Sequence, residues 1–434
     1  MATDSEEMNP YAGTGTAPPA LRSLLTPRML IILALLPLAS AVNYMDRQTL
    51  ASAAERITTE LQLDKQQYGM IEGGFGYGFV VGSLIFGFLA DIISIRWLYP
   101  VVLTCWSLIT AFTADATSFE ELAQLRFLLG VFEAGHWPCG VRVVRAVVST
   151  RGRTMGNGLL QSGTSVGAVV TPLIIMGMLT PEEGSWRPAF RIIGFAGLLW
   201  TVVWLSVVRG TDFGSSVRSE HQPARTPLRD QLFQLLQLIL QRRMLVIFAV
   251  VALINTCWQL LRAWLVLFLQ DGRGYSEDRA LVFNSVWFGA TELGCFGTGI
   301  AVLWLVRKKM TLHVARLLVF SSCAILCGTL VLVPWLPAGY ALLAILLLSG
   351  AGALGLFPLY HAFTQEISAE HQGKVTGIAS VAAWFLVPPA QTLFGRLVDQ
   401  SGSYDAGLAA AGLLPLAAAA ILWLAWDDRS AETA

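Results

Sequence analysis

The chain has 434 residues, 55% of them hydrophobic and only 13% charged, with a mean hydropathy of +0.60; a soluble domain carries roughly 25% charged residues. Those figures describe a polytopic membrane protein and exclude a soluble globular domain. A formal net charge of zero argues against a nucleic-acid partner.

Residues 1–27 carry Asp, Glu, Ser, Thr, Gly and Pro without periodicity, which predicts a disordered tail and not a cleaved signal peptide. A window of about 20 residues then finds apolar runs long enough to cross a bilayer. Six of them fall at 28–50, 68–91, 97–116, 120–146, 155–179 and 188–208. A polar stretch over 209–243 follows, with an amphipathic segment from Gln231 to Leu240 and too little length for a catalytic domain. Six more spans lie at 244–270, 278–306, 311–334, 338–365, 375–398 and 404–427, before a short tail over 428–434. Twelve spans in two halves are therefore expected. All six cysteines sit in or beside these runs with no paired spacing in polar loops, so free, packed thiols are expected.

Basic residues fix the expected orientation. With the amino terminus inside, the inner segments collect Arg22, Arg28, Arg96, Arg142, Arg145, Arg151, Arg153, six arginines from Arg209 to Arg243, Arg307, Lys308, Lys309, Lys374 and Arg429. Both termini are then cytoplasmic.

Four ionisable residues interrupt the apolar runs: Asp46 and Arg47 in the first span, Arg126 and Glu133 in the fourth. Charge in hydrocarbon is costly and marks pathways or binding sites, with a structural ion-pair cluster as the alternative. Arg126 and Glu133 are seven residues apart, which places them within about 20° on one helix face and roughly 10 Å apart along the axis. Asp46 and Arg47 project about 100° apart, so that one can pair with the fourth span while the other faces a cavity. With both acids ionised the four charges cancel, and Asp46 and Glu133 occupy the arginines. Protonating the acids frees the arginines for an incoming carboxylate, which a guanidinium fork holds bidentately.

Other polar groups within spans are weaker candidates. Tyr44 and Tyr77 can donate to substrate hydroxyls or simply pack their rings. Gln161 and Ser162 lie at mid-depth among Gly156, Gly158, Gly163 and Gly167, with either a cavity role or helix-to-helix bonding. In the second half, Gln259 can read hydroxyls; Arg262, nearer the outer end, can snorkel toward Asp271; Asn284, Glu292, His361 and Trp384 are further candidates. His136 follows Glu133 by one turn, either modulating it or merely packed. Pro138, Pro172, Pro358, Pro388 and Pro389 are read as kinks.

The halves repeat. A slide of 212 positions lays Asn43 on Asn255, Asp46 on Trp258, Arg47 on Gln259, Gly87 on Gly299 and Arg96 on Lys308. A slide of 220 or 221 lays Pro138 on Pro358, Arg153 on Lys374 and Gly156 on Gly377. Repeated halves imply a pseudo-twofold axis with the substrate between them. Because Trp258 and Gln259 are uncharged, coupling is expected in the first half and sugar reading in the second.

The chain resembles the major facilitator superfamily, and its anion:cation symporter branch in particular. The resemblance rests on Asn43-Tyr44-Met45-Asp46-Arg47, on Arg126 with Glu133-Ala134-Gly135-His136-Trp137-Pro138, on Gln161-Ser162-Gly163, and on His371-Gln372-Gly373-Lys374-Val375-Thr376-Gly377. It implies an all-α membrane fold of twelve helices in two pseudo-symmetric six-helix bundles, sufficient as a monomer in a bacterial inner membrane. It also implies symport of a proton with a small organic anion such as a hexuronate or aldonate. The loop after the second span departs from the family pattern, keeping only Gly87, Asp91 and Arg96, so gating falls to Asp91 with Arg151 or Arg153.

No nucleotide-binding loop, metal constellation or hydrolase serine elbow is present in the sequence. The reading is a non-enzymatic transporter with no cofactor beyond the proton. A drug or neutral-sugar antiporter and a non-transporting sensor are the alternatives.

Overall fold

The computed structural model describes residues 27–148, 152–209, 239–367 and 372–426. The expected tails, almost all of the 209–243 linker, His371 and the side chains of Asp91 and Lys374 lie outside the described residues.

The first set of helices comprises α1 (Pro27–Ser52), α2 (Ala54–Glu60), α3 (Lys65–Ile92), α4 (Ile95–Thr113), α5 (Phe119–Glu133), α6 (His136–Val147), α7 (Arg153–Met178) and α8 (Arg187–Val207). The second comprises α9 (Arg242–Leu267), α10 (Glu277–Arg307), α11 (Leu312–Gly328), α12 (Tyr340–Gln365), α13 (Gln372–Phe385), α14 (Val387–Ser401) and α15 (Asp405–Ala425). Among the described residues, eleven stretches are long and apolar enough to span a membrane. The missing twelfth is the fourth expected span, divided between α5 and α6 at Ala134 and Gly135. Pro138 lacks the N–H that would continue the ladder across this join, and Gly135 N–H instead closes a tighter turn on Phe132 O at 3.1 Å. Pro388 and Pro389 likewise start α14 where α13 ends. Pro172 and Pro358 stay inside continuous helices.

Within the first set α1 packs on α7, α3 on α5 and α4 on α8; within the second α9 packs on α15 and α10 on α12. The sets meet mainly through α3 against α14 and α7 against α10. The start of α3 is fixed by a reciprocal cap, Gln67 N–H to Asp64 Oδ1 at 2.6 Å and Asp64 N–H to Gln67 Oε1 at 3.0 Å. Beyond the cap, α3 presents glycine on two faces. A Cβ on Gly78 would stand 2.0 Å from Phe127 O of α5, and one on Gly69 would stand 2.3 Å from Gln391 O of α14. Backbone therefore lies on backbone across both contacts.

Away from the centre, the described polar bonds between the sets cluster at one end. Arg56 grips Glu277 through two nitrogens at 2.8 and 2.6 Å, Lys65 Nζ meets Asp271 at 2.8 Å, and Asp399 accepts from the N–H groups of Lys65 and Gln66 at 3.0 and 2.8 Å. Tyr68 OH adds a bond to Ala263 O at 2.9 Å. Asp271 is thus engaged by Lys65 and by Tyr404 OH (2.7 Å), and the expected snorkelling of Arg262 toward it does not occur.

At the same end Glu60 ties α2 to the loop before α8. Its carboxylate accepts from Gly184 N–H at 2.9 Å, Trp186 Nε1 at 2.7 Å and Arg187 Nη2 at 2.8 Å. Partial burial opposes ionisation, but these donors outweigh it and hold the Glu60 carboxyl below its ordinary value. A depressed acid stabilises the fold above the unfolded-chain value near 4.3 and loses that contribution as pH falls through the lower folded value. Acidification below about pH 4 is therefore expected to remove on the order of 1 kcal/mol, the usual ceiling for a half-exposed network. Thermal unfolding of Glu60→Gln against pH checks this: the variant starts less stable at neutral pH and converges with the parent in acid. Parallel curves contradict it.

Candidate substrate and proton site

Five of the six charges at the centre come from the first set of helices and one from the second. Along α1, Asp46 and Arg47 both lie inside the bundle. Arg47 reaches α5, where its Nε lies 2.6 Å from Glu133 Oε2, as expected of the first and fourth spans. Glu133 is fully buried, and its Oε1 has no hydrogen-bond partner; neither has Arg47 Nη2.

Arg126 departs from expectation. It pairs with neither Asp46 nor Glu133, although its place on the Glu133 face of α5 is as predicted. Its Nη2 meets Glu72 Oε1 of α3 at 3.3 Å, while its Nε and Nη1 are unpartnered. Glu72 was absent from the sequence-derived candidates, yet it is buried at the centre and its other oxygen lies 2.6 Å from Arg262 Nη2 of α9. Helix geometry explains the choice: Glu72, Phe75 and Phe79 line the α3 stripe that faces Arg47 and Arg126. The signal available beforehand was an acid inside the 68–91 run, the same criterion that found the other four.

Arg262 also corrects the expectation that charge stays in the first half. Its Nε donates to Gln259 Oε1 at 2.8 Å and its Nη1 to Arg47 O at 3.3 Å. Gln259 thereby sits at the centre, opposite Arg47 as the repeat implies, but it serves Arg262. Its own carbonyl accepts from Gln391 Nε2 at 3.1 Å.

Asp46 is the isolated member. It is fully buried with neither oxygen in a formed hydrogen bond, the Thr110 hydroxyl lying beside it outside hydrogen-bond geometry. An unpaired buried carboxylate is costly enough that such a group is kept where it exchanges a proton or meets a cation. With Arg47, Arg126 and Arg262 against Asp46, Glu72 and Glu133, the cluster is neutral when every acid is ionised.

Aromatic rings surround the guanidinium groups. Arg47 lies 4.9 Å from the Phe75 ring, 5.2 Å from Phe79 and 5.8 Å from Tyr44, and Arg126 lies 5.2 Å from Phe75. Trp384 stacks on Phe79 at 4.8 Å, so it closes this wall from the second set without touching the charges. Tyr44 belongs to the site through Arg47. Tyr77 does not: two residues from both Phe75 and Phe79, it projects about 160° away from them, on the exposed face shared with Met70, Val81 and Leu84.

Gln161 and Ser162 are exposed on α7, and their bonds run within that helix, to Thr164 Oγ1 at 3.3 Å and Leu159 O at 2.8 Å. His136 is a packed histidine held between Ser40 Oγ (2.9 Å) and Tyr99 OH (3.0 Å), so of its two readings the structural one describes it. Asn284 is buried with both amide atoms unpartnered. Arg153 is half-buried at the start of α7, but its expected gating partner Asp91 has no described side chain.

The comparisons with known proteins agree with this geometry. The family described as Major Facilitator Superfamily matches residues 36–390. The D-galactonate transporter of Escherichia coli is 27% identical over 333 residues, covering 72% of this chain and 75% of that protein. The probable galactarate/D-glucarate transporter of the same organism is 26% identical over 420 residues (89% and 92%), and its hexuronate transporter 23% over 414 (92% and 94%). Among solved structures, a bacterial homolog of the human lysosomal transporter Spinster superposes with a TM-score of 0.75 at 15% identity, over 92% of this chain and 97% of that one. A D-xylose-proton symporter gives 0.70 at 13% identity over 92% and 98%. Helices in two packed sets, a charge cluster between them and a match across most of the length lead to one conclusion: this chain belongs to the major facilitator superfamily and is an integral membrane transporter, not an enzyme.

Proposed function

We propose that the protein is a proton-coupled symporter that takes up a sugar acid, a hexuronate or an aldonate such as galactonate, by alternating access. The observation that carries this is the buried Arg47–Glu133 pair at 2.6 Å beside an Asp46 with no formed hydrogen bond. A proton added to Glu133 weakens its hold on Arg47 Nε. Together with the unpartnered Arg47 Nη2 and Arg126 Nε and Nη1, that leaves donors from two guanidinium groups for one carboxylate. Asp46, adjacent in sequence, is the second proton carrier. Tyr44, Gln259 and Trp384 supply polar and aromatic wall for the sugar, and Gln161 and Ser162 line its path. The printed names of the relatives, transporters of galactonate, galactarate or glucarate, and hexuronate, support the substrate class.

In this reading the protein is a monomer of two six-helix halves in a bacterial inner membrane, with both termini cytoplasmic and the 209–243 segment as linker. The sealed end bearing Arg56, Lys65, Asp271 and Glu277 faces outward, and Asp91 with Arg153 gates the inner end. The test is accumulation by proteoliposomes under an inward proton gradient, with galactonate, glucuronate and a cationic dye compared. Gradient-driven accumulation of a sugar acid is expected. Dye expulsion without sugar-acid uptake would establish an antiporter instead, and binding with no flux a sensor.

A further inference from the structure

Glu72 lies outside the proton-and-carboxylate exchange just described, yet of the three central acids it is the one with both oxygens in salt bridges. Both its oxygens face guanidinium groups, Arg126 at 3.3 Å and Arg262 at 2.6 Å, and its side chain is fully shielded from solvent. Arg262 has a partner on every nitrogen: Gln259 Oε1 on Nε, Arg47 O on Nη1 and Glu72 on Nη2. Of the three central guanidinium groups, only those of Arg47 and Arg126 keep open donor positions.

We propose that Glu72 is a specificity-determining residue: a built-in carboxylate that occupies on Arg262 and Arg126 the place of a substrate's second acidic group, restricting the site to monocarboxylic sugar acids. This rests on the sugar-acid reading above and narrows it. An aldonate or hexuronate has one carboxylate, which the open nitrogens of Arg47 and Arg126 accommodate. An aldarate carries a second carboxylate at the far end of its chain, and the remaining guanidinium, Arg262, is already neutralised. To bind there the aldarate must displace Glu72, leaving a buried acid beside another negative charge. A neutral glutamine at 72 removes that conflict and adds one positive charge to the cluster.

The experiment measures competition by galactonate and by galactarate, which differ chiefly in the terminal carboxylate, for a labelled sugar acid on the purified full-length protein. The parent is expected to favour galactonate by on the order of tenfold or more. Glu72→Gln is expected to shift the galactarate-to-galactonate ratio toward galactarate by about tenfold, whereas Glu72→Asp, which keeps the charge, keeps the galactonate preference. A purely structural role lowers both affinities together and leaves the ratio fixed, and that result overturns the proposal. A parent that favours galactarate also overturns it and needs no variant to fold. Failure of the parent to bind either acid defeats the sugar-acid reading itself, and this proposal with it.

Discussion

Replacing Arg47 with alanine is expected to lower sugar-acid accumulation by about 30-fold or more, since truncating one member of a buried hydrogen-bonded charge pair costs roughly 2–5 kcal/mol and each 1.4 kcal/mol is tenfold. Two effects add. The substrate carboxylate loses the guanidinium that Glu133 releases, and Glu133, fully buried, loses its bond of 2.6 Å. The second effect falls on stability, where a buried charge left unpaired costs about 3–5 kcal/mol. The two separate in the double variant Arg47→Ala/Glu133→Gln, which removes the orphaned charge. Thermal stability recovers there and transport does not. Arg47→Lys keeps the charge but loses the planar group that lies 4.9 and 5.2 Å from the Phe75 and Phe79 rings, so it is expected to transport poorly as well. Parent-like uptake by either single variant contradicts the assignment of Arg47.

The second large effect is mechanical. Gly163 of α7 rests on α1 so closely that a Cβ would stand 1.9 Å from Pro37 O, and one on Gly167 2.4 Å from Ala41 O. The obstructing atoms are backbone, and α1 cannot withdraw without carrying Asp46 and Arg47 with it. Gly163→Val is therefore expected to cost at least the 1–3 kcal/mol typical of an overpacked core, seen as a lower unfolding temperature together with lost uptake. Gly158, on the same helix, has nothing within 4 Å of its added Cβ. Gly158→Ala is expected to leave stability equal or slightly raised. Equal stability of the two variants contradicts the packing argument.

Most of the fold was legible because a bilayer demands long apolar helices and little else satisfies its backbone. The join at Ala134 and Gly135 was not, because a window of about 20 residues averages across a break that depends on one missing N–H at Pro138. At the site, Asp46, Arg47, Arg126 and Glu133 were legible as charges in hydrocarbon, and helix geometry set one of Asp46 and Arg47 against the fourth span without deciding which; the structure pairs Arg47 with Glu133. The partner of Arg126 was not legible. Glu72 meets Arg126 across 54 positions of sequence and Arg262 across 190, and no local period encodes which acid a guanidinium will find at such separations. The repeat misdirected the reading of the second half: it aligned Asp46 with Trp258 and Arg47 with Gln259, while the operative charge, Arg262, stands one turn further along α9. Tyr77 was resolvable in principle, since helical spacing groups it with Met70, Val81 and Leu84, an apolar face, and opposite Glu72 and Phe79.

The exchange of a proton on Glu133 for a carboxylate on Arg47 is the central claim. Its most direct measurement is substrate-driven proton uptake into proteoliposomes by the parent and by Glu133→Gln. The parent is expected to take up protons in fixed ratio to sugar acid and to concentrate the sugar acid under a proton gradient. The variant, whose amide cannot carry the proton, is expected to exchange sugar acid across the membrane without concentrating it. A Glu133→Gln protein that accumulates sugar acid against its gradient at the parent's proton ratio contradicts the account.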